Sequence, residues 1–210
     1  MVGVLDAIEA SELKDNTIVV FMSDNGPMRT NTWPDSGSAG PWRGELGDPL
    51  EGSIRTIGMI RWPGKIKSGA TNEMFSTMDF MPTFARIVGA KMPADRPIDG
   101  VDQLDFLVGK QKKSNREHLL TFTGDQLQAV RFRQFRYYLV EVVPSGSGFS
   151  RQEGLAGAYR RLHYPLIYNI EADPREEFNI NTTRGWVAGH ASRIIGEYLQ
   201  TLENHPNPLP

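Results

Sequence analysis

Cysteine is absent from the 210 residues. That excludes disulfides, thiolate metal sites and a cysteine nucleophile within the chain, and it leaves the redox compartment undecided. Long apolar runs are also missing: none approaches the roughly 20 residues of a membrane span. Neither sign of charge dominates, and a net charge of -2 gives no global pull toward nucleic acid or an anionic membrane. Arg131, Arg133, Arg136, Arg160 and Arg161 lie among aromatics, yet their alternation suits a two-faced sheet better than a nucleic-acid surface. Histidine is scarce. His118 opens a strand, His163 sits in a basic loop, His190 lies on a terminal helix and His205 is in the tail. None is spaced from another like a metal pair, and each reads as surface or structural. Internal repeats and low-complexity tracts are not found.

What remains is a chain of ordinary folded composition, 39% hydrophobic and 23% charged, long enough for one or two domains with a real core. No signal peptide is recognised: Met1 opens onto an amphipathic stretch in which Val4, Ile8 and Leu13 alternate with Asp6, Glu9 and Glu12. That stretch leads straight into a strand, so the start is expected to be a cut in the middle of a βαβ unit.

The strand is the informative feature. Thr17 to Met22 is apolar and β-branched, reads as buried, and stops at Ser23-Asp24-Asn25-Gly26. In open α/β sheets ligands gather beyond the carboxyl ends of strands. Asp24 and Asn25 offer two hard oxygen donors there, suited to Ca²⁺ or Mg²⁺ rather than to a soft metal. The same residues can also be a plain turn, since Asn-Gly is a hairpin signal between alternating strands. Pro27 follows, however, and the stretch to Ser53 is a long loop rich in Gly, Pro, Ser and Asp, which is uncommon unless functional. Metal or substrate contact and a plain loop start both stay open.

Along the chain the reading is a helix over Val2 to Leu13, the strand Thr17 to Met22, and a second strand over Thr56 to Arg61 closed by Trp62-Pro63-Gly64. A helix follows with Asp79 as N-cap, Pro82 in its first turn, Met81, Phe84, Ala85 and Val88 on one face, and Gly89 at its end. After the connector Pro93 to Gly100, Lys110 to Arg116 is a solvated linker. Strands are expected over His118 to Thr123, Gln126 to Phe132, Phe135 to Val143 and Pro165 to Ile170. Phe135, Tyr137 and Leu139 alternate with Arg136, Tyr138 and Val140 as in a half-buried antiparallel sheet. Pro144 to Arg161 reads as a mobile loop. Val187, Ala191, Ile194, Ile195, Tyr198 and Leu202 mark a final amphipathic helix, stopped by His205-Pro206. The fold class is α/β over residues 1–109, followed by an α+β subdomain over 110–210 in which one helix packs an antiparallel sheet.

These words resemble the second half of a sulfatase, in the alkaline-phosphatase-like superfamily. The matching words are NTIVVFMSDNGP (Asn16 to Pro27), GPWRGELGDPLEGSIR (Gly40 to Arg55), IRWPGKI (Ile60 to Ile66) and STMDFMPTFARIVGA (Ser76 to Ala90). PADRPIDGVD (Pro93 to Asp102), QAVRFRQFRYYLVE (Gln128 to Glu141) and LIYNIEADPREEFNI (Leu166 to Ile180) continue the series in the family's order. The resemblance implies the C-terminal part of an alkaline-phosphatase-like domain plus its subdomain. It also implies that Asp24 and Asn25 ligate an active-site divalent cation, Ca²⁺ before Mg²⁺.

Two departures from the family pattern stand out. The lysine that contacts sulfate aligns with Leu46, which neither donates a hydrogen bond nor holds charge. Arg43 or Arg55 could lend a guanidinium instead, although an ordinary loop or salt-bridge role is the preferred reading for each. The family's nucleophile is a Cys or Ser in a C/S-x-P-x-R word, oxidised to formylglycine. Thr32-Trp33-Pro34-Asp35-Ser36 is a distant echo without the arginine and is rejected, so no catalytic residue is assigned. Asn181-Thr182-Thr183 fits a glycosylation sequon and is taken as a chance match.

The expectation is therefore a C-terminal portion of a sulfatase-family hydrolase. It would act on a sulfate ester only within a complete enzyme, and be inert alone. Its expected partners are an N-terminal half or a second copy, with neither nucleic acid nor membrane. A non-catalytic domain that binds a sulfated sugar, and a phosphodiester or phosphonate hydrolase of the same superfamily, are the alternatives.

Overall fold

The apolar stretch before Ser23 folds as strand β1 (Val19–Met22) in a computed structural model that describes residues 2–27, 37–142 and 159–206. Thr32 to Ser36 and most of Pro144 to Arg161 lie outside those residues. Packing groups the chain into two units: Met1–Asp24 with Ile57–Arg116, and Asn25–Thr56 with Glu117–Pro210. The sequence reading instead places a single boundary between 109 and 110.

In the first unit, helix α1 (Val2–Glu9) stops short of the expected Leu13. A Ser11 hydroxyl bonded to the Ile8 carbonyl at 2.7 Å marks its end. Strand β1 pairs antiparallel with β2 (Gly58–Arg61), Phe21 opposite Met59. These two strands form a sheet of their own, and β1 is half-buried rather than buried, with Phe21 40% and Met59 50% exposed.

Helix α3 (Phe80–Val88) follows a 3₁₀ turn over Thr77–Asp79, and α2 is the short helix Glu51–Ile54 of the other unit. The expected cap at Asp79 moves back to Ser76. The Ser76 hydroxyl accepts from the Met78 N–H and the Asp79 carboxylate accepts from the Ser76 N–H, a reciprocal capping box. Asp79 itself has helical dihedrals and makes no side-chain cap bond to α3, and its carboxylate has further partners. Fully buried, it takes the Arg116 guanidinium, the Val101 N–H at 2.8 Å and the Gln103 side-chain amide. Gly89 ends α3 at φ 71°, in the left-handed region that glycine enters without penalty. Pro82 and Thr83 are the buried residues of α3. Its predicted apolar stripe faces outward, with Met81 54%, Phe84 37% and Val88 75% exposed. A short helix α4 (Leu104–Leu107) follows.

The second unit is built on a four-stranded antiparallel sheet of order β3-β4-β5-β6. Its strands are β3 (His118–Thr123), β4 (Gln126–Phe132), β5 (Phe135–Val142) and β6 (Tyr159–Asn169). The last begins earlier than the expected Pro165, pairing Arg161 with Val140 across a bulge. Pro165 is tolerated because β6 is an edge strand. Helix α5 (Trp186–Asn204) lays Val187, Ala191 and Ile194 on Val130, Phe132, Phe135, Tyr137 and Ile167.

The opposite face is also buried, which corrects the half-buried expectation. Leu50 and Trp42 cover Ala129, Tyr138, Tyr168 and Ile170 there. Trp42 and Leu50, from the segment read as a long loop, thus join this core, and Asn25–Thr56 groups with the C-terminal strands. No described helix is long and apolar enough to cross a membrane.

Candidate site around Asn25 and Glu51

Asn25 opens the second unit, and Gly26 beside it is fully packed. The Gly26 N–H donates to the Ser53 carbonyl at 2.6 Å. A Cβ on Gly26 would fall 1.9 Å from the Gly52 oxygen, so only glycine fits. Gly52 is pressed in turn, since a Cβ there would lie 2.7 Å from the Arg43 and Gly44 carbonyls. Three backbone segments therefore stack at van der Waals distance: 25–26, 52–53 and 43–44. The Asn25 carboxamide donates its N–H to the Gly26 carbonyl at 2.7 Å, which fixes the plane of the amide. No two-residue hairpin forms at Asn25-Gly26, because β1 pairs with a strand more than thirty residues on.

Glu51, fully buried at the start of α2, anchors this stack. Its carboxylate meets three guanidinium groups. Arg131 reaches Oε1, Arg136 reaches Oε2 at 3.2 Å, and Arg55 lies 3.3 Å from Oε1. Arg131 and Arg136 are cross-strand partners on β4 and β5, so one face of the sheet presents both. Arg136 also donates to the Pro49 carbonyl at 2.6 Å and to the Thr121 hydroxyl at 2.9 Å. Burial pulls the Arg131 guanidinium below its ordinary value while the Glu51 carboxylate pushes it back. An arginine so placed stays charged. A buried carboxylate shared by several arginines satisfies charges whose desolvation would otherwise be severe.

A second carboxylate continues the layer. Glu176, 1% exposed and held at φ 55°, accepts from the Tyr138 hydroxyl at 2.6 Å. Arg43 lies against it, Nε 3.5 Å from the carboxylate and Nη1 3.3 Å from the Glu176 carbonyl. Burial raises the Glu176 carboxyl above the ordinary glutamate range, against the opposing Tyr138 hydrogen bond and the Arg136 and Arg43 charges. It raises Tyr138 strongly as well.

The expected site residues are placed as follows. Asp24 is exposed, and the Ser23 hydroxyl donates to its carboxylate at 3.3 Å. Asn25 is half-buried in the stack. Arg43 pairs with Glu176, and Arg55 pairs with Glu51 while lying 3.9 Å over the Trp42 ring. Leu46 is half-buried, its N–H bonded to the Pro27 carbonyl at 3.1 Å. His190 stacks on Phe132 at 4.4 Å, and the Asn181 side-chain amide donates to the Pro165 carbonyl at 3.0 Å. Among the described residues no group of three His, Cys, Asp or Glu is arranged to hold a metal. Sequence reasoning missed the buried layer of Glu51, Arg131, Arg136, Tyr138 and Glu176. The available signal was a pair of arginines on strands otherwise rich in aromatic and β-branched residues.

A mixed α/β chain ending in an antiparallel sheet under one helix is the architecture of solved sulfatases. The crystal structure of the PsFucS1 sulfatase from Pseudoalteromonas sp. superimposes with a TM-score of 0.88 at 25% identity, over 99% of this chain and 41% of that one. Sequence agrees: the family model described as Sulfatase matches residues 1–90. The steryl-sulfatase of Rattus norvegicus is 32% identical over 98% of this chain and 39% of its own length. The human arylsulfatase H is 33% identical over 86% of this chain and 35% of its own length. The chain belongs to the sulfatase family, and it spans about two fifths of the length of the relatives it matches.

Proposed function

We propose that this chain supplies part of a calcium-dependent sulfate-ester hydrolase site, with Asp24 and Asn25 as two of the cation's oxygen ligands. The match of the sulfatase model to residues 1–90, the stretch that contains both, carries this reading. Donor chemistry supports it. A carboxylate and a carboxamide are hard oxygen donors, and the amide is held in one plane by its bond to Gly26. Ca²⁺ takes six to eight oxygens, so these two are a share of a larger set. A bound divalent cation would polarise a sulfate oxygen, and a neutral amide beside one carboxylate leaves it net positive character for that purpose. Arg43 and Arg55 serve the carboxylates of Glu176 and Glu51, a use that competes with sulfate binding.

Hydrolysis needs a nucleophile, and this chain has neither a cysteine nor a serine heading a C/S-x-P-x-R word. The 210-residue chain alone is therefore inert toward aryl sulfates, and the reaction belongs to an enzyme that also contains that word. Calorimetry with calcium and with magnesium tests the binding claim. Wild type binds calcium in preference, and Asp24→Ala removes the signal. Turnover of an aryl sulfate by the purified chain, with contaminating enzyme excluded, contradicts the claim of inertness. Leu46 in place of the sulfate-contacting lysine favours one alternative, a sulfated-sugar binder without turnover. Sugar binding that ignores calcium and survives Asp24→Ala would establish that alternative instead.

A further inference from the structure

We infer that Arg131 and Arg136 of the C-terminal sheet are positioning residues for Asn25, acting through Glu51 and the Gly26–Ser53 backbone bond. The inference rests on the reading of Asn25 as a cation ligand and adds what sets its place. The chain of contacts is short and wholly within one unit. Arg131 and Arg136 face each other across β4 and β5 and together hold both oxygens of Glu51. Glu51 is the first residue of α2, so fixing its carboxylate fixes that single turn. Gly52 and Ser53, next in the turn, form the surface on which Gly26 rests, by a 2.6 Å hydrogen bond and a contact that admits no side chain. Asn25 precedes Gly26 and bonds to its carbonyl. Any shift of α2 is thus passed directly to the carboxamide.

The physical need is clear from the local sequence. Helix α2 has only four residues and no side-chain cap at its start, so it has little stability of its own. Its position comes from tertiary contacts, and a buried carboxylate under two guanidinium groups is directional where apolar packing is not. Arg136 adds a bond to the Pro49 carbonyl, holding the approach to α2 as well as its first residue. A cation ligand set far from the sheet in sequence is thereby tied to the sheet's rigid centre. Partners behind metal ligands commonly govern affinity by 10- to 100-fold.

The test uses the intact chain labelled with ¹⁵N, following hydrogen exchange at the Gly26 amide together with calcium affinity by calorimetry. Arg136→Met is expected to speed Gly26 exchange and to weaken calcium binding, each by about tenfold or more. The amides of Val130 and Ile167, on the α5 side of the sheet, stay protected. Arg136→Lys recovers part of both effects, which a loss of bulk packing would not explain. If Arg136→Met does not fold, the near-isosteric Glu51→Gln carries the same comparison. Unchanged Gly26 exchange and calcium affinity in a folded Arg136→Met protein would overturn the inference. If wild type binds no calcium, the ligand reading of Asn25 falls, and Gly26 exchange still decides whether Arg136 holds this segment.

Discussion

Glu51 and Arg136 are both fully buried and meet at 3.2 Å, the one from a four-residue helix and the other from the middle strand pair of a sheet. Removing one partner strands the other's charge in the interior. Glu51→Ala is expected to lower stability by about 3–5 kcal/mol, read as a shift in the urea midpoint. The exposed pair Arg193–Glu197 on α5 provides the contrast. Its loss changes stability by no more than about 1 kcal/mol, because water screens it already. Similar effects from the two variants would contradict the picture of a buried polar layer.

Two glutamates of the second unit are shifted in opposite directions by their surroundings. Burial raises Glu176, while the hydrogen bond from Arg133 lowers Glu117. A raised carboxyl favours folding below its ordinary value, and that contribution is lost as pH rises through its folded value. For Glu117 the contribution is present above the ordinary value and is lost as pH falls through the lowered one. Side-chain ¹³C titration is expected to place the Glu176 midpoint above that of a free glutamate and the Glu117 midpoint below it. Coincident midpoints would refute both assignments.

In the first unit Asp79 and Arg116 do what Glu51 does in the second. Arg116 bonds the Asp79 carboxylate and the Asp99 carbonyl, and Gln103 bonds both Asp79 and the Ser114–Asn115 segment. Asp79→Ala is expected to release residues 110–116. Trypsin would then cut at Lys110, Lys112 and Lys113 at least several-fold faster than in wild type. Equal cleavage rates would show that the clasp does not restrain the segment.

The fold was legible in its separate elements and less so in how they group. The end of β1 at Ser23, the stop of α3 at Gly89, the bounds of β3 and β4 and the stripe of α5 follow from local chemistry, and the structure has them. Burial of the second sheet face was not legible. Period-two alternation reports that Arg131 and Arg136 share a face, but it cannot say whether water or Glu51 lies over them. That answer sits some eighty residues away, in a stretch whose glycines and prolines imitate a surface loop. For α3, periodicity identified the apolar stripe and could not tell that Pro82 and Thr83 would be the buried side. Asp24 and Asn25 stand out as candidate ligands because a strand ending in oxygen donors is a local pattern. The residues proposed to position Asn25 do not, because Arg131 and Arg136 meet Glu51 only through long-range side-chain contacts.

Exposed apolar side chains on several elements of the first unit carry a further prediction. Val4, Phe21, Ile57, Met59, Met81 and Val88 are all at least 40% exposed in the first unit, and the β1–β2 sheet is two strands wide. Such surface and edge favour association. Light scattering on the purified chain is expected to show concentration-dependent growth above the monomer mass. Met59→Lys and Val88→Lys are expected to reduce it. A monodisperse monomer with a cooperative melt would show that this surface is tolerated in water.

The most direct measurement is anomalous scattering from crystals of the chain grown with calcium. The account predicts a peak about 2.3–2.6 Å from oxygens of Asp24 and Asn25, lost in Asp24→Ala crystals. Ordered Asp24 and Asn25 side chains bonded only to protein groups, with no peak beside them at saturating calcium, would contradict it.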